Sequence, residues 1–279
     1  MCVHILKILR IGLPEEGLTC MHNNGIGPRG ESAINLPSRY ELVELLGSDD
    51  FYIWEYYGRG ALDKTQAWIF RSRLSALMTF LSILPLRARV FLDVGCGAMF
   101  VAYALITRFS CEYIGVDTMP IDKLRKYRDA MRNIGAEAIE AVRSSAESLP
   151  FRKGAFDFVL SFDLLEHLSR PNLGVMELRR VAKNKWWVAI SLPLEGVFQK
   201  LLRIGFFLLK ISGNPFLKKV KNVGVTRTPE YHYRGEIKSY NGMLELLEQH
   251  FKSLDKRFTP LGSHKSINVN AVHLFQRRE

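Results

Sequence analysis

The sequence predicts an open α/β fold, a mostly parallel sheet with helices on both faces that closes on an antiparallel strand. Three observations carry that expectation. "RVFLDV" is an unbroken apolar run ending in an acid and followed at once by two glycines, the pattern of a buried strand that turns into a helix. Downstream, apolar strand-like runs alternate with helical patterns of about 10–15 residues, which is the signature of βαβ units and a parallel sheet. Late in the chain "KSLDKRFTPLG" and "SINVNAVHLFQRR" stand close enough together to pair antiparallel.

Each element can be justified in order. Residues 1–38 are rich in Gly, Asn and Pro ("MHNNGIGPRGES") and read as a loosely ordered arm. Residues 39–88 read as an N-terminal helical cap, in which "RLSALMTFLSIL" sets Leu74, Leu77, Met78 and Leu81 on one face and Pro85 closes the helix. Residues 89–279 form the main domain. Its expected order is strand "RVFLDV", helix "MFVAYALITRF", strand "CEYIGVD", helix "IDKLRKYRDAMRNIG" with Gly135 at its end, and strand "AEAIEAVRS". Strand "FDFVLSFD", helix "PNLGVMELRRVAKN" opened by Pro171, and strand "KWWVAISLP" follow, and "YNGMLELLEQHF" is a helix before the last two strands. An insert of about 194–235 interrupts this order.

At 279 residues and 47% hydrophobic, the chain can bury a substantial core. The net charge of +11, from 39 basic and 28 acidic residues, argues for an anionic partner. Cys2, Cys20, Cys96 and Cys111 form no C-x-x-C pair and have no zinc spacing with the histidines, so reduced thiols in a cytoplasmic chain are expected. No run reaches the roughly 18 uncharged apolar residues of a membrane span.

In open α/β sheets, ligands sit beyond the carboxyl ends of the strands. Gly95 and Gly97 lie at such an end, where the lack of a Cβ lets a ligand approach the backbone. A dinucleotide site would continue the pattern with Gly or Ala where Phe100 stands, so that fingerprint fails. Asp93 discriminates further, because a carboxylate beside a pyrophosphate is repulsive and one beside a cation is not. Asp117 ends the next strand, where a carboxylate can accept from two ribose hydroxyls. An acid for an ammonium, glycines against the backbone and an acid for a ribose describe a site for S-adenosylmethionine.

At this point the sequence resembles the class I S-adenosylmethionine-dependent methyltransferases, over roughly Arg89 to Pro193. "LDVGCGAMF" is similar to the family's first motif and "YIGVDTMP" to its ribose-binding segment. "SSAESLPFRKGAFDFVLSFDLLEHL" is similar to the adenine-binding and fourth-strand segments, and most to the ubiquinone and menaquinone biosynthesis branch. The resemblance implies a Rossmann-like, seven-stranded sheet and S-adenosylmethionine as cofactor. It implies that Asp93, Gly95, Cys96 and Gly97 hold the methionine part, that Asp117 holds the ribose with Thr118 and Met119 beside the adenine, and that Ser145, Ala146 and Glu147 border the adenine. Ser161 and Phe162 line the donor pocket. Two positions depart from the family: Met99 stands where a third glycine is common, and Ser145 where an aspartate is common.

Methyl transfer from a sulfonium needs alignment and water exclusion first, and a base only if the acceptor must lose a proton. "DLLEH" offers His167 as a base with Glu166 to orient it, and "EYHYR" offers His232. The plainer alternative makes Glu166 and His167 the polar first turn of a helix. A phrase related to "DLLEH" accompanies divalent metal in ubiquinone-type enzymes, but no metal site is assigned here. The N/D-P-P-Y/F motif of amino-directed nucleic-acid methyltransferases is absent, since "SFDL" occupies its place, and no cysteine nucleophile follows the fourth strand.

Residues 200–234 hold eight basic residues and one acid, so they carry +7 of the chain's +11. Val197 to Ile211, read as a helix, gathers Lys200, Arg203 and Lys210 on a narrow arc. Three readings stand for residues 197–234: a lid packed on the core, a helix on an anionic membrane surface, or an RNA contact through basic and aromatic side chains. The expected reaction is methyl transfer to O, N or C of a small acceptor, lipophilic in the membrane reading, with no required protein partner. The alternatives are an RNA methyltransferase and a non-catalytic, cofactor-binding, membrane-peripheral protein.

Overall fold

The computed structural model describes residues 36–57, 61–84, 90–194, 235–237, 239–262, 264–265 and 268–278. The predicted arm up to residue 35, residues 195–234 of the insert and His232 lie outside the described residues. Three helices form the N-terminal part: α1 Arg39–Leu46, α2 Phe51–Tyr57 and α3 Ala61–Ile83. Ser38 and Glu41 bond each other's backbone N–H groups at the start of α1, a reciprocal cap that satisfies two orphan donors.

The sheet follows, built from β1 Val90–Val94, α4 Phe100–Phe109, β2 Glu112–Asp117, α5 Ile121–Asn133, β3 Ile139–Arg143 and β4 Phe156–Phe162. After a 3₁₀ turn at Leu165–His167 come α6 Pro171–Val181, β5 Ala182–Pro193, α7 Tyr240–His250, β6 Phe251–Thr259 and β7 Asn270–Arg277. The seven strands lie in the order β3-β2-β1-β4-β5-β7-β6. β1 to β5 pair parallel, and β7 runs against both β5 and β6. The expected sheet is thus present, with its reversed strand second from the edge.

Both faces are covered, so β1 is buried along its whole length. On one face Phe91, Tyr113, Phe158, Leu160, Val272 and Leu274 pack with α4, α5 and the N-terminal helices, which contribute Leu42, Leu46, Ile53, Leu77 and Phe80. On the other, Leu92, Val116, Val159, Ile190 and Phe275 pack with Val175 and Leu178 of α6 and Met243 and Leu247 of α7.

Two boundaries differ from expectation for local reasons. The helix opened by Pro171 ends at Val181, and Ala182 already pairs with Phe156, so "AKN" belongs to β5 across a register shift at Phe156/Phe158. Glu166 and His167 occur in a short 3₁₀ turn rather than in the first turn of the helix that follows, and Glu166 is almost completely buried.

Candidate functional site

The site sits at the carboxyl ends of β1, β2 and β4, where the parallel strands present their last residues to the same edge. Gly95 and Gly97 have φ +84° and +52°, a left-handed backbone that glycine adopts without penalty. The N–H groups of Gly95 and Cys96 both donate to the Val116 carbonyl, at 2.8 and 3.1 Å, and that of Met99 donates to the Cys96 carbonyl at 2.9 Å. The N–H of Gly97 donates to Asp117 Oδ2 at 3.1 Å. Four of the loop's donors are therefore spent internally. A phosphate cradle needs such N–H groups free, and these four are not.

The acids complete the contrast. Asp93 is buried, accepts a hydrogen bond from the Tyr113 hydroxyl, and has its carboxyl pushed up to about 6 by burial. Asp117 is clamped through both oxygens, Oδ2 by Gly97 and Oδ1 by the Met119 N–H at 3.0 Å. Each carboxylate oxygen has a further lone pair, which suits a pair of ribose hydroxyls. A buried acid with one hydrogen bond, a loop with four of its donors engaged and a second acid at hydroxyl-accepting geometry fit S-adenosylmethionine.

The remaining predicted residues fall around this centre. Cys96 is buried, and its thiol is held well above its ordinary pKa by burial. Its sulfur would lie 2.8 Å from a Cβ at Gly115, which requires glycine there. Met99 keeps the left-handed conformation that a third glycine would take (φ +59°) with its side chain fully buried. Met119 is half-buried and Thr118 exposed at the end of β2.

The segment after β3 is pinned from two sides. The Ser144 N–H donates to the Asp117 carbonyl at 3.0 Å, and the Leu149 N–H to Glu177 Oε2 at 2.6 Å. Within it Ala146 is buried, and the exposed Ser145 accepts from the Glu147 N–H through its hydroxyl oxygen. The Glu147 carboxylate is engaged by the Arg170 backbone and guanidinium.

At the end of β4, the register pairs Leu160 with Asp93, so Phe162 shares the Asp93 face while Ser161 faces the opposite side. Ser161 is fully buried and its hydroxyl has no hydrogen-bond partner. Glu166 is buried with Oε2 unpartnered, and burial pushes its carboxyl up to about 7, with Arg73 pulling the other way. His167 is half-buried in the same turn. Among the described residues no group of three His, Cys, Asp or Glu side chains converges as a metal site.

Four residues went unread in the sequence. Tyr52 of α2 lies over Gly97, with Cε1 2.8 Å from where a Cβ would stand, and its hydroxyl is raised by burial and by the neighbouring Asp117. Tyr56 meets Phe100 edge-on, with ring centroids 5.0 Å apart. Arg73 of α3 is buried and ion-paired with Asp163, just past β4. Tyr113 reaches Asp93 from β2. The aromatic run "DFYIWEYY" was the available signal for the first two, but helical periodicity alone does not say what such a helix covers.

A doubly wound sheet of this order, with a glycine loop between an acid on β1 and an acid on β2, defines the class I, Rossmann-like methyltransferases. Residues 92–190 match the methyltransferase-domain family. This segment is thus a methyltransferase domain, and the cofactor it points to is S-adenosylmethionine. It is 28% identical over 186 residues to a malonyl-[acyl-carrier protein] O-methyltransferase of Geobacter sulfurreducens, a match that takes in 66% of this chain and 65% of that relative. An uncharacterized methyltransferase of Mycobacterium leprae is 34% identical over 107 residues, 38% of each chain. The chain therefore spans less than two thirds of the curated relatives it matches. Magnesium protoporphyrin IX methyltransferase from Synechocystis PCC 6803, solved with bound SAH, shares the fold at a TM-score of 0.55 and 14% identity, over 86% of this chain and all of that one.

Proposed function

We propose that the protein transfers a methyl group from S-adenosylmethionine to an oxygen, nitrogen or carbon of a small acceptor. The observation that carries this reading is the buried acid Asp93 beside a glycine loop in which four N–H donors are used internally, an arrangement that favours a cationic donor. When bound, the cofactor supplies an electrophilic methyl on a sulfonium. Asp93, Gly95, Cys96 and Gly97 would hold its methionine end, Asp117 its ribose, and Met119 with Ala146 its adenine. Water exclusion falls to Tyr52, Leu164 and Phe162. Glu166, with a carboxyl near neutrality, is suited to take a proton from an oxygen or nitrogen acceptor, with His167 in the same turn as the other candidate. The Geobacter relative, a malonyl-[acyl-carrier protein] O-methyltransferase, supports an oxygen acceptor.

The basic insert enters this reading as an acceptor-side element. β5 ends at Pro193 and the described chain resumes at Gly235, where an added Cβ would collide with the Leu168 carbonyl just past β4. Both ends of the insert therefore leave and rejoin at the edge that carries the donor loop, which supports contact between residues 197–234 and the acceptor or an anionic surface that presents it. No described helix is long and apolar enough to cross a membrane. Binding to anionic vesicles supports the surface reading; salt-sensitive RNA binding with methyl incorporation supports an RNA acceptor instead.

The direct test is thermal unfolding with S-adenosylhomocysteine. At about a hundred times Kd the ligand stabilises the protein by ~2.7 kcal/mol. Asp117→Ala is expected to abolish the shift; no shift in the parent, or an equal one in Asp117→Ala, refutes the donor site.

A further inference from the structure

Asp163 directly follows β4 and has φ +51°, a left-handed backbone that side chains other than Gly, Asn and Asp rarely adopt. Asp adopts it readily, and two elements hold Asp163 there. The Arg73 guanidinium, from the middle of α3, pairs with Asp163 Oδ2. The Ser191 hydroxyl, on β5, donates to Asp163 Oδ1 at 3.1 Å. Arg73 is itself 4% exposed and stacks over the Phe70 ring, 4.0 Å from its centroid.

The helix that supplies Arg73 is fixed. Leu74, Leu77, Phe80 and Leu81 lie in the same core as Phe91, Phe158 and Val272 of the sheet. A residue on a rigid helix thus grips the first residue of a loop whose next residue lies on the donor site. The Leu164 side chain lies 3.1–3.2 Å from the position of a Cβ at Gly95. Glu166, two residues further, feels the Arg73 charge and is buried. Asp163 is part-exposed, but parting the pair leaves the buried Arg73 charge uncompensated, which favours the one geometry that keeps them together.

We propose that Arg73 and Asp163 are a positioning pair that holds the loop 163–167 against the glycine loop, so that donor affinity depends on an ion pair outside the donor's own contacts. The inference rests on the donor-site reading above. α3 thereby contributes to the site through Leu164 and Glu166, without touching the donor.

The test compares Asp163→Asn, Arg73→Gln, the double variant and the charge-reversed pair Arg73→Asp with Asp163→Arg, reading the dissociation rate of S-adenosylhomocysteine and amide exchange of residues 163–168. Each single variant is expected to speed dissociation at least about tenfold and to lose protection in 163–168 while β1 and β4 keep theirs. The double variant should be no worse than the worse single one, and charge reversal should recover part of the loss. Should a single variant fail to fold, the double and reversed pairs carry the comparison. Dissociation within twofold of the parent in folded variants overturns the pair's role, as does loss of protection across the whole sheet, which would make it merely structural. A parent that binds no S-adenosylhomocysteine overturns the donor-site reading, and the coupling with it.

Discussion

Asp93 shows how one residue's surroundings decide both ligand and pH response. Its carboxyl ordinarily titrates at 3.8 and is raised to about 6 by burial. The folded state therefore keeps a proton that the unfolded chain releases. That contribution, at most about 3 kcal/mol, is complete below about pH 4 and is lost as pH rises through 6. A cationic ligand beside it favours the ionised form. Cofactor binding is thus expected to release up to about one proton at pH 5.5, and affinity to rise with pH until about 6 and then level. Calorimetry in two buffers of different ionisation enthalpy checks this; proton uptake, or none, would show that the ligand's charge lies elsewhere. The place of Asp93 at the end of β1, before two glycines, was legible in the sequence. Its partner Tyr113 was not, because a strand residue twenty positions on is brought alongside only by parallel pairing.

Among elements, the decisive contact is between α2 and the loop after β1. Gly97→Ala is expected to destabilise the fold by about 1–3 kcal/mol, because the new Cβ meets the Tyr52 ring and because φ is positive. Tyr52→Ala in the same chain should relieve the steric part and leave about 1 kcal/mol of backbone strain. Urea unfolding of the four proteins in the cycle measures the coupling; additive costs would mean that the ring moves aside freely. Strand and helix identities in the sheet were readable from periodicity, since β1, β2 and β4 are apolar runs ending at Val94, Asp117 and Phe162. What covers them was not readable. "DFYIWEYY" is apolar nearly all round, so its pattern does not say that Tyr52 faces Gly97. Nor does "DLLEH" disclose that Asp163 meets a buried arginine ninety residues earlier; that pairing depends on where α3 lies across the sheet.

On the scale of the whole molecule, the N-terminal helices and the sheet share one core, with Leu42, Leu77 and Phe80 packed among Phe91, Phe100 and Val272. The slowest-exchanging amides of α3 are therefore expected to open with the same free energy as those of β4, by global unfolding. A distinctly lower value for α3 would make those helices a separate cooperative unit. The cap that helical periodicity suggests for residues 39–88 thus packs in the same core as the sheet.

The position of β7 carries a last consequence. It runs between β5 and β6 and is hydrogen-bonded on both sides, although it is made after either of them. While the chain is being synthesised, β5 exposes an unpaired edge and β6 has no partner until residues 270–277 emerge. Unpaired edges recruit foreign strands. The donor loop can thus be complete well before the sheet that supports it is closed, leaving a nascent form that already carries the cofactor-binding residues but still presents a sticky edge to chaperones and to other copies of itself.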